Sequence, residues 1–285
     1  MRPATLCRTW LFVPGGDDAA LAAAAASGAD VLIQELEDFT PPDRRAHARA
    51  MSPGVFRTWR AAGAVAAVRI NPLDGDGIAD LAAVMRGAPD VVALPKVSGP
   101  GDVVRLDRAV TRCERELGLP VGSTRLLPNV ESAHGLVQTI AIARASPRVE
   151  ACLLASEDLA ADLGAERGRD GAELAYARER FLVECVAARV TAVDAPYTWT
   201  DAAGVEHDAR RARRLGYRAK SLVDPAHAAI VNGVLTPGEA EVAHARALVE
   251  VPAYHTALRL VARARELAGT TRSGAAGDAD APVSG

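Results

Sequence analysis

Short apolar runs recur along the first 235 residues, and after most of them comes a longer stretch in which apolar residues return at three-to-four spacing. Runs of this length are typical of buried strands, and the longer stretches are typical of amphipathic helices. We predict eight strands, at residues 10–13, 31–33, 65–70, 91–94, 126–130, 152–155, 191–194 and 219–223.

Helices are predicted between these strands, most clearly at residues 17–27, 44–62, 78–85, 101–117, 132–145, 171–189 and 201–215. A helix that joins two neighbouring strands forces those strands to run parallel. Eight such repeats predict an α/β fold of the closed (β/α)₈ TIM barrel type. An open doubly wound sheet is the alternative, although Pro14-Gly15-Gly16 lacks the third glycine of a dinucleotide-binding fingerprint.

The predicted domain organisation has three parts. Residues 1–235 form the catalytic barrel, and a helix or helix pair after Pro237 makes residues 236–268 a C-terminal helical extension. From Gly269 onward the composition turns to Gly, Ala, Ser, Thr and Asp, which is typical of chains that cannot bury a core. We therefore expect residues 269–285 to be a disordered tail.

Two acidic residues stand where consecutive predicted strands end: Glu131 after the fifth strand and Asp158 after the sixth. Parallel neighbours place both carboxylates at the same edge of the sheet, where α/β enzymes build their sites. Each acid alone is explained as a residue favoured at a helix N-terminus. Together they favour a Mg²⁺ site, because Mg²⁺ takes only one or two protein carboxylates and leaves its other positions to water and substrate.

Other charged residues follow the second, third and fourth strands. Glu35, Glu37 and Asp38 are three acids within four residues, a costly arrangement unless they are solvated or paired. Arg69 offers a fork of donors suited to a carboxylate or phosphate, or to an ion pair with Glu37 or Asp38. Lys96 is interpreted as a charge partner of these acids, and a Schiff-base lysine is the alternative.

Composition and charge narrow the class of partner. Hydrophobic residues make up 49% and charged residues 24%, and a net charge of -3 gives no basic surface for nucleic acid or an anionic membrane. The four cysteines are scattered without zinc-site spacing, which is typical of reduced thiols. No apolar run approaches the roughly 18 residues of a membrane span, and no signal-peptide core is present. We expect a cytoplasmic protein that acts on a small molecule.

Seven short motifs occur in order along most of the chain: RTWLFVPG at 8–15, LED at 36–38, VRIN at 68–71, LPKV at 94–97, NVESA at 129–133, SEDLAADLG at 156–164 and GYRAK at 216–220. Their order and spacing agree with those of the HpcH/HpaI aldolase and citrate lyase beta-subunit-like (CitE-like) family, which the chain resembles. Members of that family cleave or form carbon-carbon bonds next to a carbonyl, commonly in acyl-CoA thioesters of malate, citramalate or citrate type.

The resemblance implies a (β/α)₈ barrel in which Glu131 and Asp158 hold Mg²⁺ and Arg69 binds the substrate carboxylate. Lys96 and Glu131 are also expected at the substrate. The resemblance further implies a homo-oligomer, commonly a trimer, in which a neighbour's C-terminal segment can cover the site. The CoA thioester is a substrate in this scheme, and Mg²⁺ is the cofactor.

Glu37 and Asp38 are expected to act in catalysis, where positioned carboxylates can orient Arg69 or move a proton. Two departures from the family pattern affect this expectation. Glu35 stands where relatives usually have aspartate, and the C-terminal segment is shortened, so that either Glu250 replaces a lid aspartate or the lid is absent.

The first hypothesis is a Mg²⁺-dependent carbon-carbon lyase for a malyl-, citramalyl- or citryl-type acyl-CoA, acting through a metal-stabilised enolate. An aldolase for small free 2-oxo acids without CoA is the second. A barrel that binds a carboxylate without catalysis is the third.

Overall fold

A closed ring of eight parallel strands forms the centre of the protein, in a computed structural model that describes residues 2–248 and 255–273. Strands that follow one another in the chain are neighbours in the ring, and β8 closes on β1 through the pair Thr9 and Lys220. The (β/α)₈ barrel predicted from the sequence is thereby confirmed. The strands are β1 Thr9–Pro14, β2 Val31–Glu35, β3 Val65–Arg69, β4 Val91–Leu94, β5 Arg125–Val130, β6 Ala151–Leu154, β7 Thr191–Asp194 and β8 Ala219–Leu222.

Helices connect the strands and cover the outside of the ring. Short 3₁₀ turns at Ala4–Leu6, Pro42–Arg44, Met85–Gly87 and Ala172–Leu174 accompany them. None of the helices in the described part of the chain is long and apolar enough to cross a membrane. The α-helices are α1 Asp18–Ala24, α2 Arg45–Ala61, α3 Gly77–Val84, α4 Pro100–Glu116, α5 Ala133–Leu136, α6 Thr139–Arg144, α7 Ser156–Leu163, α8 Ala175–Ala188, α9 Ala202–Leu215, α10 His227–Leu235, α11 Glu239–Leu248 and α12 His255–Ser273.

The prediction of one continuous helix at residues 132–145 is wrong, because two short helices, α5 and α6, occupy this stretch. The chain turns at Gln138, whose side-chain amide donates to the carbonyl of Ser98 at 3.1 Å. Gly135 lies so close to the β4–α4 loop that an added Cβ would be 2.5 Å from the carbonyl oxygen of Val97. These contacts between distant parts of the chain interrupt a helix that the local pattern favours.

Alternate residues of the strands belong to two separate apolar cores. One set packs against the outer helices, and the other fills the inside of the ring, as a parallel barrel buried on both faces requires. The alternation of the inner set continues to Glu35 at the end of β2 and to Arg69 at the end of β3, and Glu131 directly follows β5. The pleat therefore directs these three charged side chains towards the mouth of the barrel. The inner set includes Trp10, Phe12, Val31, Ile33, Val65, Ala67, Val91, Ala93, Leu127, Leu153, Val193 and Ala219.

The C-terminal extension consists of α11 and α12, which pack on each other through Ala245, Ala257 and Val261. Helix α12 continues to Ser273, so the boundary predicted at Gly269 falls inside a helix. Glu250, the predicted substitute for the lid acid, lies outside the described residues, as do residues 274–285.

A buried group of four charges ties the last strands to their helices. Asp194 at the end of β7 accepts hydrogen bonds from Arg178 of α8 at 2.7 and 2.9 Å and from Lys220 of β8 at 2.8 Å. Asp208 of α9 pairs with the same two cations at 2.7 and 2.5 Å. Two cations balance two carboxylates, which is the condition under which buried charges are tolerated.

A second buried ion pair joins α4 to the start of β6. Arg148 donates to Glu114 at 2.6 and 2.9 Å, and the amides of Gly122 and Thr124 also donate to this carboxylate, each at 2.9 Å. Burial by itself raises the pKa of Glu114, but these hydrogen bonds outweigh it and lower the pKa to about 2. The pair therefore stabilises the fold at neutral pH.

The substitution Glu114→Gln tests this pair. It leaves a buried guanidinium partly unpaired, and we expect it to lower the free energy of unfolding by about 3 kcal/mol in urea titrations at pH 7. Glu206→Gln, which removes an exposed carboxylate bonded to Arg210, is the control and costs under about 0.5 kcal/mol.

The same variant has a pH signature. The folded-state pKa of about 2 lies below the ordinary 4.5, so Glu114 contributes stability above pH 4.5 that is lost as the pH falls towards 2. The stability gap between wild type and Glu114→Gln should therefore shrink on acidification. A gap that stays constant from pH 6 to about pH 3 would contradict the account.

Candidate active site

The carboxyl ends of five neighbouring strands bring the predicted site residues to one mouth of the barrel. Glu35 and Arg69 are the last residues of β2 and β3, and Lys96 follows β4 by two positions. Glu131 comes directly after β5, and Asp158 lies in the first turn of α7, just after β6. The arrangement follows from the strand order, because β2 to β6 are consecutive in the ring.

Arg69 lies at the centre of the acids and is 5% exposed. Its Nε donates to Oε1 of Glu35 at 2.9 Å, and its Nη2 donates to Oδ2 of Asp38 at 3.2 Å. Its Nη1 is 3.4 Å from Oε2 of Glu37, and the guanidinium lies 5.0 Å from the centroid of the Phe12 ring. The ion pairs with Glu37 and Asp38 that the sequence offered for Arg69 are therefore present.

Glu35 is a site residue that the predicted catalytic and binding set did not include. It is fully buried, and besides Arg69 its carboxylate accepts from the backbone amides of Glu37 at 2.6 Å and Phe39. The signal for it was the period of two along β2, which places position 35 on the same inner face as Val31 and Ile33. Glu35 thus positions both the arginine and the loop that carries the other two acids.

Lys96 forms an ion pair with Glu37, with 2.7 Å between Nζ and Oε1. The hydrogen bond from Glu37 raises the pKa of Lys96, and its side chain is 52% exposed. A Schiff-base lysine requires the opposite, a desolvated amine with a lowered pKa, so the structure favours the role of charge partner. Burial raises the pKa of Glu37 even though Arg69 and Lys96 oppose the rise.

Glu131 is 3% exposed and is held by the backbone. Its Oε1 accepts from the amide of Lys96 at 2.9 Å, and Lys96 has φ of 53°, a left-handed conformation that is strained for a residue with a side chain. Burial raises the pKa of Glu131 to about 9, and the neighbouring carboxyl of Asp158 adds to the rise. Both effects mean that the protein alone stabilises the ionised form of Glu131 poorly.

A cavity of about 420 Å³ opens beside these residues. This size suits the reacting part of a small metabolite. Of the predicted residues, Asp38, Arg69 and Asp158 line the cavity, whereas Glu37, Lys96 and Glu131 are not part of its wall. The other lining residues are Phe12, Phe39, Leu153, Ala155, Ser156, Glu157, Pro196, Thr198, Ser221 and Val223.

The pair Glu131 and Asp158 fits Mg²⁺. Oε2 of Glu131 is buried and has no hydrogen-bond partner among the described residues, which is an energetically costly state for a carboxylate oxygen. A divalent cation next to Asp158 would satisfy that oxygen. No three His, Cys, Asp or Glu side chains in the described part of the chain are arranged to hold a metal ion together. Two carboxylates are enough for Mg²⁺, which leaves its other positions to water and substrate.

The HpcH/HpaI aldolase/citrate lyase family model matches residues 8–225, which includes every strand of the barrel. The chain belongs to this family. The citrate lyase subunit beta of Escherichia coli K12 is 35% identical over 85% of this chain and 81% of its own length. The family and the carbon-carbon lyase class predicted from the sequence are thereby confirmed.

Two further proteins to which this chain is similar bear on the site. The L-malyl-CoA/beta-methylmalyl-CoA lyase of Cereibacter sphaeroides ATCC 17025 is 32% identical over 87% of this chain and 84% of its own length. The crystal structure of CitE from Mycobacterium tuberculosis in complex with magnesium, acetoacetate and coenzyme A has a TM-score of 0.72 and 26% identity, covering 91% of this chain and 98% of that one.

The strain at Lys96 is tested by comparing Lys96→Gly with Lys96→Ala. Both variants remove the ammonium group and its ion pair, but only glycine adopts a positive φ without steric cost. We expect the glycine variant to be more stable than the alanine variant by about 1 kcal/mol in urea unfolding. At an ordinary backbone position the order would be reversed, and that result would contradict the geometry.

Proposed function

We propose that this member of the HpcH/HpaI family is a Mg²⁺-dependent lyase that cleaves or forms the carbon-carbon bond of a malyl-, citramalyl- or citryl-type acyl-CoA. The observation that carries the proposal is the buried, unpartnered oxygen of Glu131 beside Asp158, at the mouth where Arg69 lines the cavity. The relatives named as citrate lyase and malyl-CoA lyase support the substrate class.

Glu131 and Asp158 would hold the metal. When bound, Mg²⁺ supplies Lewis-acid stabilisation of the negative charge that develops on substrate oxygens during cleavage. The magnesium in the CitE complex from Mycobacterium tuberculosis supports this cofactor.

Charge balance suggests an order of binding. Five carboxylates lie around Arg69 and Lys96 at this mouth, so the ionised acids outnumber the two cations even while Glu131, with its raised pKa, is protonated. A carboxylate substrate is repelled from such a site. We infer that Mg²⁺ binds before the substrate.

Arg69 then receives the substrate carboxylate. Of its two hydrogen bonds, the one to Asp38 is the longer. The Asp38 side chain is 45% exposed, so it can turn to solvent at little cost in free energy. Glu35 keeps the guanidinium in place through Nε while Nη2 becomes available. Arg69 can thus exchange one of its acidic partners for the substrate without leaving its position.

Glu37 is the carboxylate that we assign to proton transfer. Burial raises its pKa, and its Oε2 accepts no hydrogen bond among the described residues, its contact being the ion pair with Arg69 at 3.4 Å. We infer that this group accepts and returns the proton. In the cleavage direction the substrate hydroxyl loses its proton and the bond electrons pass to the acyl-CoA enolate. That enolate is then protonated at carbon, and a 2-oxo acid is released.

The predicted homo-oligomer and the role of Glu250 as an acid of a covering segment remain part of the proposal. The larger part of a CoA thioester would extend from the cavity towards such a segment. The mass of the assembly in solution and the activity of Glu250→Gln test these two points separately.

A retro-cleavage assay tests the proposed function. Purified protein is incubated with malyl-CoA, citramalyl-CoA, citryl-CoA and free hydroxy-oxo acids, with Mg²⁺ or with EDTA, and released 2-oxo acid is measured. We expect turnover of at least one CoA ester with Mg²⁺ and none with EDTA. Glu131→Gln should lose about 10³-fold or more in kcat/KM, and Arg69→Lys about 10²-fold, because each removes charge or geometry needed in the transition state.

The matched control is Glu179→Gln, an exposed carboxylate on the outer face of α8, which should retain wild-type activity. Turnover that survives EDTA or Glu131→Gln would refute the metal-dependent mechanism. Cleavage of free acids alone would identify the aldolase without CoA. Tight CoA binding without any turnover would identify a binding protein.

A further inference from the structure

A second cavity, of about 410 Å³, lies at the end of the barrel opposite the active site, where α12 meets the C-terminal ends of α8, α9 and α10 and the start of β8. Part of its wall is apolar, from Val186, Leu235 and Leu260. The rest is dominated by four guanidinium groups, those of Arg213, Arg218, Arg259 and Arg263.

These arginines are poorly balanced by acids. Arg213 pairs with both carboxylate oxygens of Glu241 at 2.8 and 2.9 Å. Arg218, Arg259 and Arg263 have no ion pair with a carboxylate among residues 2–248 and 255–273. Three positive charges therefore share one cavity without a carboxylate of the described residues in direct contact, and Asp30 and Glu266 act on Arg263 only from further away.

Backbone carbonyls satisfy some of their donors but not all. Nη1 of Arg218 donates to the carbonyl of Tyr217 at 2.9 Å. Nη2 of Arg263 donates to the carbonyl of Arg218 at 3.0 Å, and its Nη1 donates to the carbonyl of Thr5. Nε of Arg263 is buried and has no partner in the described part of the protein. Arg259 makes no hydrogen bond there. Donors in a fixed fork geometry are therefore left for an oxygen-rich ligand.

Two of these arginines have a lowered pKa, with burial as the larger cause and neighbouring arginines as the smaller one. Burial lowers the pKa of Arg263 to about 10, with Arg218 and Arg8 contributing and Asp30 and Glu266 opposing. Burial also lowers the pKa of Arg218, and Arg213 and Arg259 add to the effect. The charged forms of Arg218 and Arg263 are therefore disfavoured by their surroundings, and a bound anion would reverse this.

We propose that this cavity is a binding site for a small organic anion that carries two or more negative charges, a phosphate ester or a polycarboxylate. The charged groups of the ligand would face the guanidiniums, and its carbon skeleton would lie against the apolar wall. Because Arg218 belongs to the barrel and Arg259 and Arg263 belong to α12, the ligand bridges the two and stabilises the docking of the extension. The site is separate from the catalytic cavity, which lies at the other end of the strands.

Isothermal titration calorimetry with pyrophosphate and with citrate tests the proposal, in EDTA and at constant ionic strength. We expect wild type to bind at least one of the two anions, and the double variant Arg218→Gln/Arg259→Gln to bind about 100-fold more weakly, about tenfold for each charge-assisted contact. Pyrophosphate binding indicates a phosphate ester, and citrate binding indicates a polycarboxylate. The control Arg214→Gln, on the same helix as Arg213 but outside the cavity wall, should bind as wild type does.

The location is checked with Arg69→Gln, which alters the active site and should keep the affinity measured for wild type. Equal affinities in wild type and the double variant would overturn the proposal, as would binding weaker than about 1 mM for both anions. A second readout is the unfolding temperature, which the anion should raise in wild type and not in the double variant. A thermal shift equal in both proteins would also contradict the site.

Discussion

Repulsion among carboxylates at the mouth of the barrel is the constraint on which the arrangement of the site depends. Glu35, Glu37, Asp38, Glu131 and Asp158 come together there, with Arg69 and Lys96 as the cations beside them. Burial raises the pKa of Glu131 to about 9, and the neighbouring carboxyl of Asp158 adds to the rise, so the ionised form of this acid is poorly stabilised there. Such a site is expensive for a protein to keep unless something positive binds in it. The proposed metal and the proposed order of binding both follow from this imbalance.

The barrel makes this concentration of charge possible by fixing each side chain on a buried element. The inner face of β2 and β3 is apolar up to the last residue of each strand, where Glu35 and Arg69 meet at 2.9 Å. The strained backbone of Lys96 turns its amide onto Glu131. Rigid strand ends hold charges in positions that a flexible loop would not keep, which is how (β/α)₈ barrels support chemistry at their carboxyl-terminal face.

The sequence was sufficient to predict the barrel and the position of Glu131 and Asp158 after two neighbouring strands, because short apolar runs and the residues that follow them are local signals. It was insufficient where contacts between distant segments decide the structure. The turn at Gln138 depends on Ser98, and the left-handed Lys96 depends on Glu131 across the β4–β5 pair. Glu35 was readable from the period of two along β2, but its hold on Arg69 required the register between β2 and β3. The imbalance of arginines at the opposite end required the position of α12, which no local pattern specifies.

The most direct test of the central claim is a crystal structure of the protein grown with Mn²⁺, a Mg²⁺ substitute with a measurable anomalous signal. The account predicts one anomalous peak at about 2.0–2.2 Å from carboxylate oxygens of both Glu131 and Asp158, with its other positions filled by water or substrate. The same peak should be absent from crystals of Glu131→Gln. A peak elsewhere at the mouth, or one that persists in Glu131→Gln, would contradict the assignment of this pair as the metal site.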